Sequence, residues 1–230
     1  MILVKRGPGG PGMLRGMELL ELARGPLLTG SLTVFFAGLL WRFWSIWRLG
    51  ARAPLAAPRS RASGFSTVFT RMLPRRGFHA SATLATVNPY LYHLGLAVAA
   101  FGYAPHIAFV ERLTGAGWPA LPDWAVYLAA GVTIVSLCIA LLYRLTDPVL
   151  RLISGAGDYF AWVVTMLPLA TGMALVTGDA ASDPVRLAVH LLSLELLLVW
   201  FPFGKLMHAF LVFPARAQLG RFFARRGVRA

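Results

Sequence analysis

The stretch RLAVHLLSLELLLVWFPFGKLMHAF, residues 186–210, is apolar enough to sit in lipid, yet it carries two histidines, a glutamate and a lysine. His190 and His208 stand eighteen residues apart. At 100° per residue that spacing is five whole turns, with a rise of about 27 Å on a straight helix. On such a helix both imidazoles share one face and lie at opposite sides of a hydrocarbon core roughly 30 Å thick. Ionisable groups are costly in lipid, so their presence here marks the segment as functional.

The rest of the chain has the same character. Of its 230 residues, 57% are hydrophobic and 13% are charged, and the mean hydropathy is +0.66. A soluble domain would carry about 25% charged residues. Apolar runs at 26–43, 89–110, 124–143, 159–178 and 187–213 each approach the ~20 residues a helix needs to cross a bilayer. No alternating pattern suggests a barrel, and only helices or closed barrels satisfy the backbone in lipid. The expected fold is therefore an all-α integral membrane bundle of five transmembrane helices.

The net charge of +13 would suit nucleic acid, but the arginines fall in blocks between apolar runs, which membrane orientation explains. Nucleic acid is not expected as a partner; membrane lipid is. Arg48, Arg52, Arg59, Arg61, Arg71, Arg75 and Arg76 follow the first run, and Arg216, Arg221, Arg225, Arg226 and Arg229 follow the last. Glu111, Asp123, Asp179 and Asp183 mark the opposite side. The positive-inside rule then puts the N-terminus outside and the C-terminus in the cytoplasm. Residues 1–23 read as a disordered N-terminal extension, 24–215 as the membrane domain and 216–230 as a basic cytoplasmic tail. The single cysteine, Cys138, excludes an internal disulfide and a CxxCH haem attachment.

Four of the five histidines fall in two spans. His93 and His106 lie in the second, His190 and His208 in the fifth. Antiparallel spans put His93 level with His208 and His106 level with His190. Paired imidazoles on facing helices can ligate a haem iron from both sides, or serve helix packing and proton relay in a haem-free scaffold or transporter. His93 and His106, thirteen residues apart, fall about 140° out of phase on an ideal helix, and Pro105 is expected to kink the span there. His79 reads as a loop histidine, separated from His93 by a break at Asn88–Pro89. Glu195 is a candidate acceptor of quinol protons or a helix-to-helix hydrogen-bonding group. Tyr103 is a candidate quinone contact. Arg144 and Lys205 suit haem propionates, or snorkel to headgroups. Asp158 reads as a stabiliser of the fourth span's N-terminus.

Several segments resemble a known family. RGPLLTGSLTVFFAGLLWR, YHLGLAVAAFGYAPHIAF, LLYRLTDPVLRLISGAGDYF and above all RLAVHLLSLELLLVWFPFGKLMH with ARAQLGRFFARRG are similar to the gamma subunit of respiratory nitrate reductase. They also resemble the cytochrome b subunits of related quinone-linked complexes, including the tetrahaem and sulfite-reductase-associated ones. The resemblance implies five helices binding two haem b groups through helices 2 and 5. It assigns His93 and His208 to the cytoplasmic-side haem and His190 to the outer one. In the nitrate reductase form the remaining ligand falls at Tyr103; other branches use a longer spacing, which matches His106. The resemblance further implies a multi-pass subunit of the prokaryotic cytoplasmic (inner) membrane. Such a subunit oxidises quinol at the outer face and passes electrons to an iron–sulfur subunit, alongside a catalytic or multihaem subunit. It does not act on the terminal substrate by itself, and the same subunit run in reverse is a quinone reductase.

Overall fold

A computed structural model describes residues 11–49, 64–70, 72, 79–176 and 183–226. Helices α1 (Pro11–Leu22) and α2 (Leu28–Leu49) are joined by a π-helical turn over Ala23–Leu27. Then follow α3 (Gly64–Thr70), α4 (His79–Gly102), α5 (Ala104–Thr114), α6 (Asp123–Thr146), α7 (Pro148–Ile153), α8 (Ala156–Val176), α9 (Pro184–Trp200) and α10 (His208–Arg225). The described residues contain no strand. Among the described residues, four helical stretches, the first running continuously over Gly12–Leu49, are long and apolar enough to cross a membrane, five if the bent pair α9–α10 counts as one span.

The first helix begins earlier than its composition suggests. Pro11 opens α1, where a missing N–H and a fixed φ cost a helix nothing. Residues 11–22, expected to be part of a disordered extension, are helical and lie along α9; residues 1–10 are outside the described residues. The π turn holds Pro26, which cannot donate to the carbonyl of Leu22 and whose ring crowds it. The widened turn absorbs that defect, so helix runs on from α1 into α2. Gly16 lies against Val185 and Pro184, and Gly38 against Pro202. The long N-terminal helix thus straps α9 from end to end.

The packed centre lies between α4, α6 and α8. Ala130, Leu137 and Leu169 are buried there, with Tyr92, Leu96, Ala99, Ile134, Trp162, Met166 and Met173 around them. Asn88 and Ser136 pair across α4 and α6: the amide of Asn88 donates to Ser136 O at 3.0 Å, and Ser136 Oγ donates to Asn88 Oδ1 at 2.6 Å. This contact holds α4 continuous through Pro89, so the expected break there does not form and His79 opens the helix. Close approach of the two backbones rests on Gly95, whose Cα faces Thr133 and the carbonyl of Ala129. Small residues permit such contact in membranes. Gly95→Ala would force the side chain into Thr133. A loss of about 1–3 kcal/mol is expected from overpacking, measurable as earlier unfolding in a detergent titration.

The second and fifth spans depart most from straight helices. Helix α4 stops at Gly102, Tyr103 is extended (φ −84°, ψ 128°), and Pro105 lies in the first turn of α5. The kink expected at Pro105 is a full break. Its freed carbonyls find donors: Trp118 Nε1 to Phe101 O at 2.7 Å, and Leu121 N to Gly102 O at 2.9 Å. The straight helix expected over 187–213 is not formed. Phe201–Gly204 make a turn, and α10 leaves at 77° to α9. Pro202, buried, cannot continue the hydrogen-bond ladder, and the amides of Phe203 and Gly204 both turn back onto Trp200 O. Residues 216–225, read as tail, belong to α10, which packs on α3; Arg216 Nη1 donates to Val68 O at 3.3 Å.

Candidate paired-histidine sites

The two breaks bring four histidines into two pairs. His93 on α4 meets His208 at the start of α10. Their ring centroids are 5.8 Å apart with planes at 84°, and the two Nε2 atoms are 3.5 Å apart. His106 on α5 meets His190 on α9, with centroids 6.1 Å apart and planes within 10° of parallel. The break at Tyr103 removes the 140° phase error that one ideal helix would impose, because α4 and α5 no longer share a winding.

In each ring the other nitrogen is engaged. His93 Nδ1 donates to Pro89 O at 2.6 Å, His208 Nδ1 to Lys205 O at 2.8 Å and His106 Nδ1 to Ala99 O at 2.9 Å. A carbonyl only accepts, so these three Nδ1 atoms carry the proton. His190 Nδ1 lies 3.1 Å from Thr171 Oγ1. The Thr171 hydroxyl proton goes to Leu167 O at 2.7 Å, and that of Ser193 to His190 O at 2.6 Å. Thr171 Oγ1 is left as acceptor, and His190 too is protonated on Nδ1. With their Nδ1 atoms so engaged, His93 and His208 turn their Nε2 atoms toward each other, and the rings of His106 and His190 lie face to face in nearly parallel planes.

Around the His106–His190 pair, the Tyr103 ring lies 5.3 Å from that of His106 and 6.0 Å from that of Tyr127. Gly172 leaves space beside His190 Cε1. Near the other pair, Tyr92 lies 4.5 Å from the His93 ring. Arg144 and Lys205 converge on Asp158. Lys205 Nζ is 2.6 Å from Asp158 Oδ2, and Arg144 Nη1 is 3.5 Å from Asp158 Oδ1 and donates to Ser154 Oγ at 2.7 Å. Asp158 also accepts from Gly155 N, so it both caps α8 and ties α6 and the Lys205 turn to it. Since Lys205 O orients His208, this ion pair reaches the imidazole through one residue.

Glu195 is buried, and its Oε1 has no hydrogen-bond partner among the described residues. Five residues beyond His190, it points about 140° away around α9. It shares a face with Ala188 and with Pro184, which meets α1 at Gly16. Hydrogen bonding places Thr171, not Glu195, on His190. Thr171 and Ser193 went unremarked in the sequence, although hydroxyls within apolar spans are the usual bonding groups between membrane helices. Asp158 was noticed without its partners, because the pairing joins residues 47 positions apart.

No family model matches the chain. A curated protein of Nitratidesulfovibrio vulgaris (strain Hildenborough) is 31% identical to it over 216 residues, covering 87% of this chain and 91% of that protein. At that identity and coverage, the chain belongs to the same family as the Nitratidesulfovibrio vulgaris protein.

Proposed function

We propose that the chain is a dihaem b-type membrane cytochrome subunit. It oxidises quinol near the outer face and passes electrons to an iron–sulfur partner on the cytoplasmic face. The observation that carries this reading is the meeting of four histidines in two pairs, His93 with His208 through Nε2 atoms 3.5 Å apart and His106 with His190 through nearly parallel rings. Two unprotonated Nε2 atoms 3.5 Å apart would repel unless a proton or a metal lay between them. Two imidazoles sharing one metal through bonds of about 2 Å would have ring centres on the order of 6 Å apart, which suits 5.8 and 6.1 Å. The described residues contain no group of three or more side chains suited to a bare ion. A porphyrin supplies four nitrogens of its own, so two imidazoles complete the shell.

His93, His208, His106 and His190 would hold the two groups, and each anchored Nδ1–H fixes its ring as metal-ligating histidines require. Bound haem supplies reversible one-electron transfer at two depths. Tyr103 stands beside His106 where a quinol hydroxyl can donate to or accept from it. Glu195, buried with an oxygen unpartnered among the described residues, would accept one of the two quinol protons, from the side of α9 turned away from the pair. Arg144 and Lys205 are already neutralised by Asp158, so their service to propionates requires that carboxylate to share them. A proton shared between two histidines would also account for the His93–His208 contact. It does not extend to the His106–His190 pair, which has no such hydrogen bond. Adding a quinol to the purified chain under argon is expected to produce the α band of a reduced b-type cytochrome. A chain that stays spectrally silent with both quinol and dithionite would refute the proposal.

A further inference from the structure

We propose that α10 lies in the plane of the membrane–water interface, with Leu211, Ala215, Leu219 and Phe222 in lipid and Arg221 and Arg225 on the phosphates of an anionic leaflet. The bend sets the direction. Helix α9 has 17 residues, a rise of about 25 Å, which nearly crosses the hydrocarbon core by itself. At 77° to it, the 18 residues of α10 advance only about 6 Å further along that axis. The helix therefore runs along the surface rather than on through the bilayer.

Beyond its first turns, where Phe210 packs on Phe35, Phe43 and Phe201 and Phe213 is exposed outside the apolar arc, α10 divides its circumference into three. Arg216, Gly220 and Ala224, at spacings of four, make the face against α3: Gly220 and Ala224 are buried, and Arg216 bonds Val68 O. Leu211, Ala215, Leu219 and Phe222 occupy a second arc about 80° wide, with Leu219 41% and Phe222 45% exposed. Gln218, Arg221 and Arg225 form the third, and all three are exposed. By helical phase the apolar arc is centred on the direction of His208. That histidine reaches His93 on a membrane-crossing helix, so the arc faces the lipid side and the arginine arc lies beside it, about 90° around the helix, at the level of the headgroups. Arg226 closes the end, its guanidinium 3.7 Å over the Phe222 ring, a pairing that lets a cation lie at an apolar boundary. A strongly basic face beside an apolar one, with few acidic residues in the chain to neutralise it, matches the chemistry of an anionic headgroup layer.

The test uses the full chain with Cys138→Ala, carrying a nitroxide at Leu219→Cys or at Arg225→Cys, in nanodiscs of phosphatidylcholine with or without phosphatidylglycerol. The Leu219 label is expected to collide with dissolved oxygen and the Arg225 label with a water-soluble nickel chelate. Arg221→Gln with Arg225→Gln should move the Leu219 label toward water in the anionic discs. Equal exposure of both labels to the chelate would overturn the proposal. So would a Leu219 label shielded from both reagents, since protein would then cover the face. No response to the arginine substitutions would remove the anionic leaflet from it. In the unlabelled chain, amide exchange over residues 211–222 should be slower in anionic discs; identical rates would contradict the headgroup contact.

Discussion

His208→Ala is expected to remove one haem, lowering haem content by about half while the chain stays folded. The side chain is exposed and packs little, so its loss costs little stability directly. What it removes is one of two Nε2 donors that face each other. His93→Ala should give the same loss, because each ring is useless to the site without the other. The surviving site is then identifiable by its ligand planes. The His93–His208 rings cross at 84° and the His106–His190 rings lie within 10° of parallel. Crossed planes leave the iron's two π-symmetry d orbitals nearly degenerate, and parallel planes split them. The wild-type low-spin resonance should therefore contain one strongly anisotropic component and one rhombic one. His208→Ala should abolish the anisotropic signal alone. Loss of both signals, or of neither, would break the pairing.

His106→Ala has the opposite expected signature and a larger functional effect. It should remove the rhombic signal, keep the other haem reducible by dithionite and abolish reduction by quinol. His106 also donates back to Ala99 O across the Tyr103 break, so α5 should loosen and exchange its amides faster. His190→Ala supplies the control, since it strips the same site without touching the break. If His106→Ala retains both haems while His190→Ala does not, the fourth ligand lies elsewhere. Thr171→Val refines the case. It leaves all four histidines in place but removes the hydroxyl acceptor beside His190 Nδ1, and outer-shell partners of this kind are worth about 10–100-fold in metal affinity. The haem at His190 should be retained at saturation and lost first on dilution, with its midpoint raised because the imidazole becomes a poorer donor.

The helical architecture was legible because lipid leaves the backbone few choices, and apolar runs of the right length could hardly be anything else. The depth-matching of His93 with His208 and of His106 with His190 was equally open to inspection, since it needs only antiparallel spans. Proline was the obscure element. Pro105 was read as a kink and makes a full break; Pro202 was passed over within a straight helix and turns the chain by 77°; Pro89 was read as a break and is carried through. A proline's local defect is fixed, but whether it bends, ends or is tolerated depends on what satisfies the freed groups. Those partners, such as Trp118 for Phe101 O or Ser136 beside Asn88, come from distant segments. The same cause hid α1. Gly and Pro around residues 7–12 suggest disorder, yet the helix that follows is held by contact with α9. Thr171 on His190 and Asp158 on Lys205 were likewise matters of tertiary neighbourhood rather than pattern.

The pyridine haemochrome assay on the purified chain, set against its protein mass, tests the central claim most directly. Two histidine pairs predict two non-covalent haem b groups per chain, extractable into acid acetone. A colourless chain, reproducibly folded and free of haem after expression with haem in excess, would contradict the account.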